Sequence, residues 1–482
     1  MKARLSMGRY RVLMTSCVLG LGILTAFFNW SCSNSSNNPS SDGSIVGFAI
    51  RSDVLNYSGI TVRLYHQISG DPVVVAVLNQ YYNIGFALTQ SCMFDHRTQT
   101  ELRTTTTDNT GRYAFSELSN GAYAVVAEDS GYGYRYELEL FVNGTETRPE
   151  STLVLYPIEE SPSQITANTT WYSGHHYRIT DNVTVAPGAQ LTIEKDTFVR
   201  MGDFAGLDIQ GTLYSVGDPN EFIRWIRDDP SLPWNQISLL GSGQNQVEWN
   251  LFDGGIVGLQ CYQSNLNLSR SLFRNFTGNG AAFDHIPNAQ VESCLFLNNI
   301  VGLSCTYVDS GMIRYNLFSN NTTGLKCENY SYPTVQMNWI GYCDEGIYLQ
   351  YLYQPGACLI THNQIEHCSS SGIRVSGSTF ATITYNEITS DSIGIRIRPL
   401  VGSASSPIIN HNNITNVGKY SVELVLAVNT LDIDADSNWW GTTNYNNIDA
   451  LIYDHNDIEN SATGFVIYIP ILQSPEPSAG IQ

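Results

Sequence analysis

The sequence predicts an all-β protein, an N-terminal β-sandwich followed by a parallel β-helix (β-solenoid). Three observations predict it. One thirteen-residue phrase recurs: "WNLFDGGIVGLQC" at 249–261, "SCLFLNNIVGLSC" at 293–305 and "YNLFSNNTTGLKC" at 315–327. The 28 Tyr and 40 Gly, with frequent Asn, Ser and Thr, suit strands and turns, so almost no helix is expected. At 482 residues, 42% hydrophobic and 14% charged, the chain is globular and long enough for more than one domain.

Residues 1–31 read as a signal peptide, with Lys2, Arg4, Arg9 and Arg11 before the apolar run "VLMTSCVLGLGILTAFF" at 12–28. That run is near the lower limit for a membrane span and has no second of its length, so an export signal fits better than an anchor helix. Its removal takes four positive and no negative charges, leaving 20 Lys and Arg against 44 Asp and Glu, a balance of −24. Such acidity disfavours nucleic acid and anionic membranes as partners. The stretch 32–43, "CSNSSNNPSSDG", is a flexible tether. Ser31 before Cys32 resembles a bacterial lipoprotein signal, although Asn29 and Trp30 depart from its small and aliphatic pattern. The resemblance implies acylation of Cys32 and display on an outer membrane or cell surface; without lipid the protein is secreted.

Residues 44–157 alternate in short strand-like runs, "IVGFAI", "GITVRLY", "YAVVAE", "YELELFV" and "STLVLYP". In "TDNTGRYAFSELSNGAYAVVAE" (107–128), Asp108, Asn109 and Gly111 make a turn, Tyr113 and Phe115 share one face, and Gly121 turns the chain again. This resembles the carboxypeptidase regulatory-like (transthyretin-like) β-sandwich, interrupted by an insertion near 73–104. The resemblance implies a spacer or stabilising module without activity of its own. Residues 158–164 are read as a linker.

From 165 to 472 an internal repeat governs the chain. A first mark falls at Asn250, Ser271, Cys294, Asn316, Asn338, Asn363, Asn386, Asn412 and Asn438, in steps of 21 to 26 residues. A second follows at Gly258, Gly280, Gly302, Gly324, Gly346, Gly372 and Gly394, each read as a turn before a short strand. A period near 22 with no helical pattern fits one coil of a parallel β-helix. Stacked about 4.8 Å apart, the coils place Phe252, Phe273, Phe296, Phe318, Ile340, Ile365, Ile388, Ile414 and Trp440 in an inward column. The Asn residues from 316 to 438 are expected to form an amide ladder. Cys261, Cys305 and Cys327 share a column with Phe283, Leu349, Val375 and Ile397, which makes them small core residues rather than zinc ligands. A Cys305–Cys327 disulfide is conceivable and not required.

This stretch resembles the right-handed parallel β-helix family of the pectate-lyase and periplasmic NosD-like kind. "NVTVAPGAQLTIEKDTFVRMG" (182–202) resembles an opening coil; "SNWWGTTN" (437–444) and "GFVIYIPIL" (464–472) resemble a closing segment, leaving 473–482 as a tail. The family implies activity on polysaccharide lying across an outward face. A lyase would need clustered carboxylates for calcium and a basic residue; a glycosidase would need two nearby carboxyl groups.

The best outward column is Lys326, Tyr348, Arg374, Arg396 and Glu423. Arg374, Arg396, Glu366 and Asp391 are the candidate catalytic groups, with Asp344 and Glu345 from the same coils, although these carboxylates cannot be assigned to one face. Tyr348, Tyr351 and Tyr353, in "YLQYLYQPG", are candidate sugar contacts. His175 and His176 point to opposite faces and share no metal. No nucleophile elbow, phosphate loop or zinc motif appears. The expected function is therefore binding of extracellular polysaccharide or another cell-surface component, or an adhesive role, by a monomer without cofactor. The alternative is a polysaccharide lyase or hydrolase, calcium-dependent if a lyase.

Overall fold

The computed structural model describes residues 43–390, 392–400, 403–425, 431–457 and 463–482. The expected signal peptide, Cys32 and all of the tether but Gly43 lie outside these residues, as does Asp391.

Two four-stranded sheets form the N-terminal module. In one, Gly43–Arg51 pairs antiparallel with Arg112–Leu118 and parallel with Glu146–Thr147 and Leu153–Leu155. In the other, the order is Arg103–Thr106, Thr61–His66, Gly121–Glu128 and Arg135–Val142. Ile45, Tyr113 and Phe115 from the first meet Val62, Leu64 and Val125 from the second in one buried core. The expected turn is built by Asp108, whose Oδ1 accepts from the backbone N–H groups of Thr110 (2.8 Å) and Arg112 (3.0 Å) while Gly111 takes φ +83°. Gly121 opens the strand that follows, Gly121–Glu128.

The remainder winds through three parallel sheets. Sheet A runs through 13 strands from Gln164–Ile165 to Ile452–Tyr453, sheet B through 13 from Thr169–Trp171 to Val466–Ile467, and sheet C through 12 from Glu159–Glu160 to Asn413–Ile414. The stretch read as a linker is thus already solenoid: Glu159 and Glu160 pair with Tyr177 and Arg178, and Ile165 pairs with Val185. Pairing satisfies backbone groups that a free linker would leave to water.

The inward columns stack as the repeat predicts. Phe252, Phe273, Phe296 and Phe318 lie in register, their rings 4.6, 5.2 and 4.8 Å apart and within 10° of parallel. Cys261, Phe283, Cys305, Cys327 and Leu349 also pair in register, all buried. All eight cysteines among the described residues are buried, and Cys305 and Cys327 are not joined in a disulfide. At the far end Ile448, from the one-turn helix Tyr445–Asp449, joins Trp440, Ile452, Val466 and Ile471 in the core.

The corner from sheet B to sheet C carries the amide ladder. Each rung follows a residue in the left-handed region: Tyr315, Met337, His362, Tyr385 and His411 have φ between +51° and +58° and precede Asn316, Asn338, Asn363, Asn386 and Asn412. That conformation costs about 1 kcal/mol or more for a residue with a Cβ. The rung's bonds to the coils on either side offset it.

The repeated glycines do a different job from the one their spacing suggested. They lie within or against the strands of sheet A, and from Gly258 to Gly394 none of the seven has a left-handed φ. A Cβ on Gly324 would sit 2.7 Å from the Gly346 carbonyl oxygen and 2.9 Å from Ile340 Cγ2; one on Gly302 would sit 2.5 Å from the Gly324 oxygen. Close stacking of coils, not a turn, excludes a side chain here.

Sheet C is covered on its outward face. Leu251, Leu272, Leu295, Leu317 and Trp339 form an outward column with Phe222 beside it, all at most 2% exposed, because the sandwich's insertion lies on them. The insertion contributes Val74 and Val77, from the helix Pro72–Gln80, with Ile84, Phe86 and Cys92. Asp71 caps that helix through Oδ1, accepting from Val73 N (2.8 Å), and Pro72 opens it. Polar ties fasten the clasp: Gly85 N–H donates to Tyr315 O (2.7 Å), and buried Arg224 donates through Nε and Nη2 to Ser91 O (3.1 and 2.8 Å). Burying six large apolar side chains contributes roughly 1.5 to 3 kcal/mol each. The tail returns over later coils, where Glu476 N–H donates to Asn413 Oδ1 (2.7 Å), Gly480 N–H to Tyr385 O (2.9 Å), and Ile481 packs on the insertion's cluster.

Candidate ligand-binding face

Covering sheet C leaves the outward faces of sheets A and B, and the corner between them, to meet a ligand. On sheet A the column Lys326, Tyr348, Arg374, Arg396 and Glu423 is in register, as the repeat predicts. Each cation has a partner. Lys326 Nζ lies 2.7 Å from Glu328, Arg374 Nη1 2.6 Å from Glu345, and Arg396 Nε 2.7 Å from Glu423, with Arg396 Nη1 also donating to Ser370 Oγ (2.9 Å). The ring of Tyr348 is flanked by Lys326 Nζ at 5.8 Å and Arg374 Cζ at 4.8 Å from its centroid. Stacked like charges are tolerated because each carboxylate neutralises its neighbour. No free base and no free carboxylate pair remains among these groups.

The other catalytic candidates do not join them. Glu366 belongs to sheet C, where Oε1 accepts from the Trp339 indole (2.6 Å) beside the helix Pro72–Gln80. Asp344 stays at the corner before its coil's sheet A strand and accepts from Ser369 Oγ (2.8 Å). No group of three His, Cys, Asp or Glu side chains among the described residues is placed to hold a metal. Of the adjacent histidines, His176 is buried, its Nε2 bonded to Tyr134 O (2.9 Å), and burial pushes its pKa well below the usual imidazole value; His175 pairs with Glu159 (2.7 Å).

The corner between sheets A and B carries a second periodic feature, a row of aromatic rings. Tyr262, His285, Tyr307, Tyr330 and Tyr353 come from five successive coils, with ring centroids 5.7, 4.3, 6.1 and 4.8 Å apart. The four tyrosines are 38, 39, 51 and 41% exposed. Tyr351 stacks beside Tyr353 at 6.1 Å. Of the three tyrosines singled out from sequence, Tyr353 and Tyr351 therefore belong to this row, while Tyr348 is held between cations on sheet A. Left-handed φ at His285 and Tyr307 aims those rings out of the corner. His285 is fixed through Nδ1 by Asp284 Oδ1 (2.6 Å). Since neighbouring faces cover one another, the row presents ring edges and phenolic hydroxyls, a rigid amphipathic surface. Steps of 23, 22, 23 and 23 residues were its sequence signal. Beyond the corner, sheet B offers Asn267, Gln290 and Thr334 outward in register with one another through Met312.

A cavity of about 620 Å³ lies where the sandwich meets the first coils. Charged groups on its walls are held in ion pairs by residues behind them: Arg97 by Asp95 (2.8 Å), Arg178 and Arg200 by Asp228 (3.2 and 2.6 Å), Glu128 by Arg63 (2.5 Å). It is a joint between the modules.

Residues 258–398 match the family described as the right-handed β-helix region. No curated protein matches the sequence. Among solved structures, the Dettilon tailspike protein is similar with a TM-score of 0.39 at 13% identity, over 58% of this chain and 61% of the tailspike chain. A mutant of the periplasmic alginate epimerase AlgG has a TM-score of 0.34 at 12% identity, over 58% of this chain and 79% of its own. Sequence match and strand topology agree on the architecture: the solenoid is a right-handed parallel β-helix.

Proposed function

We propose that the protein is an exported β-helix that binds an extended glycan along the corner between sheets A and B. Acylated Cys32 tethers it to a membrane face, and it acts as a monomer without cofactor. The sandwich and its insertion serve as a clasp on sheet C. The observation that carries this reading is the exposed row from Tyr262 to Tyr353, five coils long and parallel to the solenoid axis. Tyrosine supplies contact area and a hydroxyl at small entropic cost, which suits a surface that must hold a hydrated polymer without enclosing it. Binding without cleavage is favoured over lyase or hydrolase activity because Arg374, Arg396, Glu345 and Glu423 neutralise one another and Glu366 lies on another sheet.

Screening the folded protein on a glycan array, with parallel assays for unsaturated sugars and new reducing ends, tests this. Retention without product is the expected result. Product release that Arg374→Ala or Arg396→Ala abolishes would establish the lyase alternative instead.

A further inference from the structure

The charge around the aromatic row points to the class of polymer it holds. We infer that the ligand is an uncharged glycan lying parallel to the solenoid axis, not a polyuronate; this rests on the glycan-binding reading above. Between residues 259 and 361, the five coils that carry the row, the chain has four basic side chains, Arg270, Arg274, Arg314 and Lys326. All four are in ion pairs, with Glu248 (2.7 Å), Asp253 (2.8 Å), Glu292 (3.1 Å) and Glu328 (2.7 Å). The same stretch holds six acidic residues, Asp284, Glu292, Asp309, Glu328, Asp344 and Glu345, so its own balance is −2. A polyuronate laid on the row would meet this negative field and would have to break an existing ion pair for each salt link it made. The exposed Arg398 does not alter this, since it lies two coils beyond the one carrying Tyr353.

A neutral polymer meets no such cost. Tyr hydroxyls, the His285 ring and the outward Asn267, Gln290 and Thr334 offer donors and acceptors without net charge, the set that pairs with sugar hydroxyls. Five rings at coil spacing span about 20 Å. Affinity should therefore rise with oligosaccharide length and level off once the row is covered.

Kd values for a length series of neutral oligosaccharides and for matched oligouronates, each at about 0.1 M and 1 M salt, test the inference. Neutral ligands should bind with little salt dependence, and Tyr307→Ala with Tyr330→Ala should weaken them about tenfold or more at unchanged melting temperature. Tyr330→Phe separates the hydroxyl from the ring and should give a smaller loss. Tighter binding of oligouronates, weakened by salt and by Arg374→Gln, would overturn the uncharged class while leaving glycan binding intact. Absence of binding to either series would overturn the glycan reading itself.

Discussion

Asn338 Oδ1 accepts from both the backbone N–H and the side-chain amide of Asn316, one coil away, at 3.0 Å each. The same bifurcated bond joins Asn338 to Asn363, Asn363 to Asn386, Asn386 to Asn412 and Asn412 to Asn438. Five consecutive links, all buried, make the ladder a structural spine at the corner between sheets B and C.

Asn363→Leu removes one rung, stranding the backbone N–H of Asn338 and withdrawing the amide donor from Val335 O, Thr361 O and Asn386 Oδ1. At roughly 1 to 3 kcal/mol for each stranded group, a loss of several kcal/mol is expected. Outward Asn267→Leu on sheet B should stay within about 0.5 kcal/mol. Thermal melting compares them, and equal midpoints would contradict the ladder.

Gly324→Ala places a Cβ against the Gly346 carbonyl, whereas Gly121→Ala finds its nearest neighbour 3.6 Å away in the Tyr123 ring. The first should cost about 1 to 3 kcal/mol and the second little. Denaturant midpoints distinguish close coil stacking from the turn that glycine spacing alone suggests.

Leu295→Ala empties part of the seat beneath Gly85 and the helix Pro72–Gln80. A loss of about 2 to 5 kcal/mol is expected, appearing first as faster hydrogen exchange across residues 72–93 while the strands of sheet A keep their protection. Uniform acceleration across the solenoid would show that the insertion is no separate clasp.

The buried thiols should be inert in the native protein. Burial pushes Cys261, Cys294 and Cys343 up to about 12, so almost no thiolate is present at neutral pH. Mass spectrometry after brief alkylation should find these three unmodified until denaturant unfolds the chain. Native-state modification of any of them would place it outside the core described above.

Glu128 is held at about 2 by hydrogen bonds from His96 and Arg63. A depressed carboxyl stabilises the fold above its unfolded value of about 4.3, and that contribution fades as pH falls toward about 2. Glu128→Gln should therefore lower stability near neutral pH and flatten the decline between about pH 4 and 2. A parallel decline in both proteins would assign the acid sensitivity elsewhere.

What the sequence made legible follows from stacking. The Asn rungs, the Phe and Ile column, the buried Cys and the outward Lys326-to-Glu423 column all repeat at the coil period, and a parallel register carries each periodic mark to the same place. Non-periodic features were hidden. The helix Pro72–Gln80 is spelled "PVVVAVLNQ", β-branched enough to read as a strand, and only Asp71-Pro72 marks its start. Which face it covers is a long-range fact: Leu251, Leu272, Leu295 and Leu317 sit beside inward Phe residues and read as more core. The aromatic row is periodic yet masked in the sequence, because its Tyr and His vary in offset from the glycine mark. Glu366 and Arg374 come from one coil, but an intervening corner turns them onto different sheets.

Hydroxyl-radical footprinting of the glycan-loaded protein against the free protein locates the ligand directly. Binding along the row predicts protection of Tyr262, Tyr307, Tyr330 and Tyr353, with exposed Tyr82 and Tyr445 modified equally in both states. Protection at Tyr82 or Tyr445 with the row unchanged would contradict it.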